Sequence, residues 1–303
     1  MTLFVILGSF VLLGLPGLLD RCHSLGPAHF ARLGRASMML GFIGVVLGLA
    51  AWGAPAILHL ADAVGVPGLC DEAVHRLPLG GLELAIAAAA IAVAVTGRAL
   101  AAVRRARLSA HRARVDPCFG RHRRVGRYDV VVIPSAQLVA VGVPGDRPQI
   151  VLSQGLVAAL SPVEVDAVIR HEVAHHRLGH RQYLVTAAVM DQVFGWVPRV
   201  RSSTRSLRNA VEAWADLEST QSSEARTATL RSALERLATE RTTTASRHSI
   251  ERRIARLDFG DEIYSSRLRS VGAWVPATAL ALIAAVALLS AAQILDAVIR
   301  CRV

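Results

Sequence analysis

The stretch Val168–His180 reads VIRHEVAHHRLGH and holds four of the chain's eleven histidines. His171 and His175 are four residues apart. On a helix that spacing puts both imidazoles on one face of adjacent turns. Two imidazoles so placed suit one zinc ion, with Zn–N bonds of about 2.0–2.1 Å. Glu172 stands beside the first histidine but off the ligand line, within reach of a metal-held water. Zinc lowers the pKa of such a water to about 7, and a neighbouring carboxylate takes its proton and hands it to a leaving amine. A catalytic zinc site needs a third protein ligand and keeps its fourth position for water. The stretch NAVEAWADLEST, residues 209–220, offers Glu212 and Asp216, again four apart. Glu212 is the candidate third ligand. Asp216 is the candidate acceptor for a ligand histidine N–H, which fixes the tautomer. The blander reading makes both carboxylates solvated surface groups like Glu218 and Glu224. Their place downstream of HEVAH favours the metal reading.

These groups need a true helix, and the sequence supplies its start. Ser161, Pro162 and Glu164 spell a capping box with proline at the first helical position. Val165, Val168, Ile169 and Val173 give apolar positions at near-helical spacing. Ahead of it, YDVVVIP (128–134) reads as a strand, and LVAVGVP and QIVLS read as a hairpin across GDRP (145–148). His176 faces away from the ligand line and is expected at the surface. His180 is expected to cap the helix end rather than line the cleft. His111 and His122 lie in an arginine-rich stretch, expected to be a juxtamembrane segment drawn to anionic lipid.

Composition sets the surroundings. The 303 residues are 53% hydrophobic, with a mean hydropathy of +0.42; that is too apolar for an ordinary soluble protein. All 34 basic residues are arginine, and the formal net charge is +11. Positive-inside loops account for that charge better than nucleic-acid binding, for which no signature exists. Four apolar segments are long enough to span a bilayer: roughly Leu3–Leu19, Met38–Leu60, Leu82–Val103 and Trp274–Leu295. The first lacks a basic leader and an A-x-A site, so it reads as a retained span. Arginines after the first span (Arg21, Arg32, Arg35) and third span (Arg104, Arg105, Arg107, Arg112, Arg114), and before the fourth (Arg267, Arg269), mark the cytoplasmic side. Asp62, Asp71 and Glu72 lie on the outer loop. The expected organisation is a three-span region over residues 1–108, a cytoplasmic domain over 109–270, and a span with a short outer tail over 271–303. No cysteine pair has metal-ligand spacing. Cys70 and Cys301 fall on the same oxidising side, and whether they pair is open.

On these residues the chain resembles the gluzincin membrane peptidases, of the BlaR/MecR type and the related HtpX-like type. The resemblance runs from YDVVVIP through SQGLVAALSPVEVDAVIRHEVAHHRLGH and EAWAD to ERRIARL, about half the chain. It implies an α-helical membrane protein with an α+β zincin-like cytoplasmic domain, Zn2+ as cofactor, and a protein or peptide substrate. It further implies that Leu138, Val139, Ala140, Val141, Gly142 and Val143 form the cleft-edge strand to which a peptide adds. By the same alignment Arg253 packs beneath the cleft or neutralises its acidic groups. HtpX-like proteins place a His-Pro before this arginine; here His248 is followed by Ser249 and stands one residue closer, so no role passes to it.

Three spans before the domain and one after are similar to the BlaR order. BlaR-type proteins commonly continue into an outer sensing domain, whereas this sequence stops at Val303, so a signal is expected through the spans, the outer loop or a separate sensor protein. The expected activity is a membrane-anchored zinc endopeptidase acting on a cytoplasmic or membrane-proximal protein, such as a repressor. The alternatives are HtpX-like quality control and a non-catalytic signalling module stabilised by zinc.

Overall fold

The computed structural model describes residues 2–20, 26–63, 81–115, 121–240 and 244–259. Three long helices come first: α1 (Thr2–Leu19), α2 (Pro27–Ala63) and α3 (Gly81–Arg112). Each is long and apolar enough to cross a membrane. They pack through small residues. Gly41 and Gly48 of α2 sit against Leu13 and Ile6 of α1, and Gly53 sits against Ala89 of α3. Such glycine seams let helix backbones approach where lipid gives no hydrophobic drive. The second expected span begins at Met38, but α2 runs back to Pro27. This N-terminal extension is held by protein: Arg32 lies 5.1 Å from the Trp214 ring centre and Arg35 lies 5.5 Å from that of Tyr183. The fourth expected span, Cys70, Cys301, Asp71 and Glu72 lie outside the described residues.

A small mixed sheet follows, with β1 (Arg121–Val125), β2 (Tyr128–Ile133), β3 (Ala140–Val143) and β4 (Gln149–Ser153) in the order β1-β2-β4-β3. β2 and β4 are parallel; β1 and β3 run antiparallel to their neighbours. β4 is buried along its whole length, as its apolar run IVL requires. β1 adds an element that the arginine-rich stretch did not suggest. His122 and its flanking arginines form an exposed strand because pairing with β2 satisfies the backbone without an apolar face. Arginines on such an edge also discourage further pairing.

The helices are α4 (Gln154–Ala159), α5 (Pro162–Arg177), α6 (Arg181–Phe194), α7 (Pro198–Thr220), α8 (Glu224–Glu240) and α9 (Thr244–Phe259). The capping box at the start of α5 is present: the Ser161 N–H donates to Glu164 at 2.8 Å, and the Glu164 N–H donates back to Ser161 Oγ. Glu164 also accepts from Ser232 at 2.6 Å and pairs with Arg236 at 3.0 Å, so the cap ties α5 to α8.

Two hydrophobic cores result. The first joins Leu13, Met38 and Val45 of the apolar helices to Met190, Phe194, Val200 and Leu207 of α6 and α7. The second packs Val130, Ile150 and Leu152 of the sheet against Ile169 of α5, Leu230 and Leu234 of α8, and Ile250 of α9.

Candidate metal centre

α5 belongs to the second core and α7 to the first, and the site forms where they cross. His171 Nε2 and His175 Nε2 are 3.0 Å apart. Glu212, from α7, brings Oε2 to 3.4 Å from the first and Oε1 to 3.5 Å from the second. Ligands around one tetrahedral zinc with bonds of 2.0–2.1 Å are separated by about 3.3–3.4 Å. The donor triangle therefore has the size that a single small metal ion requires, and its chemistry of two imidazoles and a carboxylate fits zinc. His171, His175 and Glu212 form the candidate metal group among the described residues.

The partners behind the donors are equally definite. His171 Nδ1 lies 2.9 Å from Asp216 Oδ1, so that a ring which has lost its Nε2 proton would turn that lone pair to the triangle. Arg253 of α9 grips Asp216 with both arms, Nε at 2.9 Å and Nη2 at 2.6 Å, and its Nη1 lies 3.4 Å from Glu212. Burial and the Arg253 charge work to lower the pKa of His171, but Asp216 and Glu212 outweigh them and raise it to about 9. Burial pushes the Asp216 carboxyl up, yet Arg253 and His171 pull it down to about 2. Glu212, despite its burial, is held well below its ordinary value by hydrogen bonds from both histidines and by the Arg253 charge.

Glu172 points to the other side. Its Oε2 accepts the Gly142 N–H at 3.0 Å. Gly142 sits on β3, the outer strand of the sheet, so one carboxylate touches both the strand and the donor triangle's helix. The close approach depends on glycine: a Cβ at residue 142 would stand 2.6 Å from the His176 ring. The strand itself runs from Ala140, with Leu138 and Val139 leading into it. An open cleft of ≈ 810 Å³ is lined by Ala140–Val143, His171, Glu172, His175, Glu212 and Arg253, with Leu230, Leu234 and Ile250 as an apolar wall.

Two histidines depart from their sequence reading. His176 is not a free surface group. It packs beneath Gly142 and edge-on to Tyr128, ring centres 5.6 Å apart. His180 does not cap a helix with its side chain. It is fully buried, 4.8 Å from the Trp214 ring centre, and its Nδ1 is 3.0 Å from His175 Nδ1. Burial first, and the neighbouring histidines second, lower its pKa to about 3, so it stays neutral. For His175 to offer Nε2 to a metal, its Nδ1–H must donate to His180 Nδ1. His180 then carries its proton on Nε2, which has no partner among the described residues. The sequence signal was Gly179, whose φ of +64 lets the chain double back under His175.

Residues 120–230 match a family model described as Peptidase family M48. The matched region contains His171, Glu172, His175, Glu212 and Asp216 and ends before Arg253. No curated protein and no solved structure matches the chain. The similarity supports metallopeptidase chemistry for this region, and the three apolar helices support its association with a membrane.

Proposed function

We propose that this chain is a multi-pass, membrane-anchored zinc endopeptidase whose catalytic domain faces the cytoplasm and cuts a cytoplasmic or membrane-proximal protein. The single observation that carries the reading is the donor triangle of His171, His175 and Glu212 with Glu172 beside it on the cleft side. His171, His175 and Glu212 hold the metal, which when bound polarises the scissile carbonyl and acidifies water. Glu172 takes the proton of the attacking water and delivers it to the leaving nitrogen. Asp216 orients His171, and Arg253 keeps Asp216 ionised and fixed. The substrate lies along β3, an edge strand that lines the cleft, where an extended backbone can add to the sheet. A non-catalytic zinc module needs neither an open ligand position nor a base beside it; the three-donor group among the described residues, with the Glu172 carboxylate next to it, supports the catalytic reading.

Within this class we favour cleavage of one regulatory protein of repressor type, on the resemblance to BlaR/MecR-type peptidases, over HtpX-like removal of damaged membrane proteins. Purified protein beside Glu172→Gln tests the chemistry. The variant is expected to keep its zinc and lose proteolysis by about 10²–10⁴-fold; undiminished cleavage sinks the assignment. Narrow cleavage of a single cytoplasmic protein, against broad cleavage of unfolded membrane proteins, separates the two roles.

A further inference from the structure

The hairpin between α6 and α7 carries an exposed tryptophan that the site does not use. Trp196 is 74% exposed at its tip. Just before it, Phe194 is buried edge-on between Phe10 of α1 (5.6 Å) and Phe42 of α2 (6.4 Å). Arg98 of α3 donates to the Gln192 carbonyl at 2.7 Å, and Arg201 donates to the Gly195 carbonyl at 2.7 Å. The tip therefore sits at one definite level of the three apolar helices. That level is a seam. On one side of it α3 exposes Ile91 and Val93, and α1 exposes Phe4 and Leu7. On the other, α3 exposes Arg98, Arg104 and Arg105 beside Leu100 and Leu108, α7 exposes Arg199, Arg201 and Arg205, and α1 still exposes Val11 and Leu18.

An apolar-to-arginine seam with a tryptophan on it matches the chemistry of a membrane interface. The indole's apolar body and N–H favour the headgroup layer, and arginines favour anionic lipid. We propose that the α6–α7 tip is a membrane anchor, with Trp196 in the interfacial layer and Arg98, Arg199 and Arg201 against anionic lipid headgroups. The inference rests on the reading that α1–α3 lie in the bilayer.

The anchor fixes the height of the metal centre. Arg32 meets Trp214, which packs on His180 beside His175. Residues 32 and 42 of α2 are about 15 Å apart along the helix. On α3, Ala110 lines the cleft, and it stands about 18 Å from residue 98. The two rulers agree. A bond in a membrane-anchored substrate must then lie about five extended residues from the bilayer to reach the site.

The test uses the full chain in phosphatidylcholine–phosphatidylglycerol vesicles with bromine either near the headgroup end or at mid-chain of the acyl tails. Tryptophan emission of the wild type minus that of Trp196→Phe gives the Trp196 component. It is expected to be quenched, and more strongly by the shallow bromines. A component untouched by bromine, whether open to water or covered by a second protein, overturns the anchor; stronger quenching from mid-chain overturns its interfacial level. Trp52 on α2 is read the same way, as wild type minus Trp52→Phe, since Trp214 and Trp274 also remain in Trp196→Phe. If its emission is quenched while the Trp196 component is not, only the anchor fails; if neither is quenched, the placement of α1–α3 in the bilayer fails too. Peptide cleavage by Trp196→Phe in detergent is expected to be unchanged, which keeps this result apart from the proposed chemistry.

Discussion

The first core is made of long apolar helices with two helices of the region similar to Peptidase family M48 wedged among them; the second is a sheet with helices on it. Neither holds the candidate metal centre alone. The histidines come from α5 of the second core, Glu212 and Asp216 from α7 of the first, and Arg253 from α9 of the second. The centre is thus a staple between a membrane-type core and a soluble-type core. The largest way to break it is Glu212→Ala, which takes away the one donor that the first core supplies among the described residues. Zinc affinity is expected to fall by more than about 100-fold, beyond the range typical of outer partners, measured by competition with a chelator. Retained stoichiometric zinc would mean that the donors close without α7.

Next in size is Arg253→Met. It leaves Asp216, only 3% exposed, without its guanidinium. Stranding one partner of a buried pair costs about 3–5 kcal/mol. Thermal unfolding should show that loss, and Asp216→Asn in the same chain should restore much of it. If the double variant melts no higher than Arg253→Met, the arginine acts through packing rather than charge.

The two cores were unequally legible in the sequence. α5 was readable from its capping box and histidine spacing, because both are local signals. The strands were readable wherever alternation or a β-branched run marked them. β1 was not, since RHRRV carries no apolar face and owes its form to β2. Nor was the docking of α6 and α7 against α1 and α2, which depends on tertiary contacts such as Phe194 with Phe10 and Phe42. In the site, the His171, His175 and Glu212 candidates were visible because helical spacing encodes them. The His180 contact and the Gly142 N–H were not, because each depends on a chain reversal or a strand approach whose trace in residue type is a single glycine, Gly179 or Gly142.

Truncations sharpen the contrast between the cores. Leu207→Ala and Leu234→Ala each open a fully buried site, one per core, and each is expected to cost about 2–5 kcal/mol. With zinc bound, either should lower a single shared melting transition. With zinc chelated, each should lower only its own. One undivided transition under chelation would show that packing between the cores, not the metal, couples them. His180→Leu removes the acceptor for His175 Nδ1–H while keeping an apolar filling beside Trp214. A loss of about 10–100-fold in zinc affinity is expected, as for other groups that orient a ligand. His180→Gln, which keeps an acceptor, should recover part of it; equal loss in both variants would reduce His180 to packing.

A dependence on pH comes last, and its sign distinguishes the metal reading from an ion-pair reading of the same residues. Without metal, His171 is held protonated up to about pH 9: burial and Arg253 oppose the proton, and Asp216 and Glu212 prevail. A metal needs the Nε2 lone pair, so binding below that pH must expel a proton. Zinc affinity should therefore rise about tenfold per pH unit from neutrality toward pH 9 and then level off. Stability of the metal-free chain should move oppositely. The contribution from a raised histidine pKa is full below the unfolded value of 6.5 and fades as pH climbs through about 9. Zinc titrations and melting curves over this range read the two slopes, and Asp216→Asn should shift both toward lower pH. A zinc affinity flat between neutrality and pH 9 would place the proton elsewhere and leave the carboxylates paired to Arg253 alone.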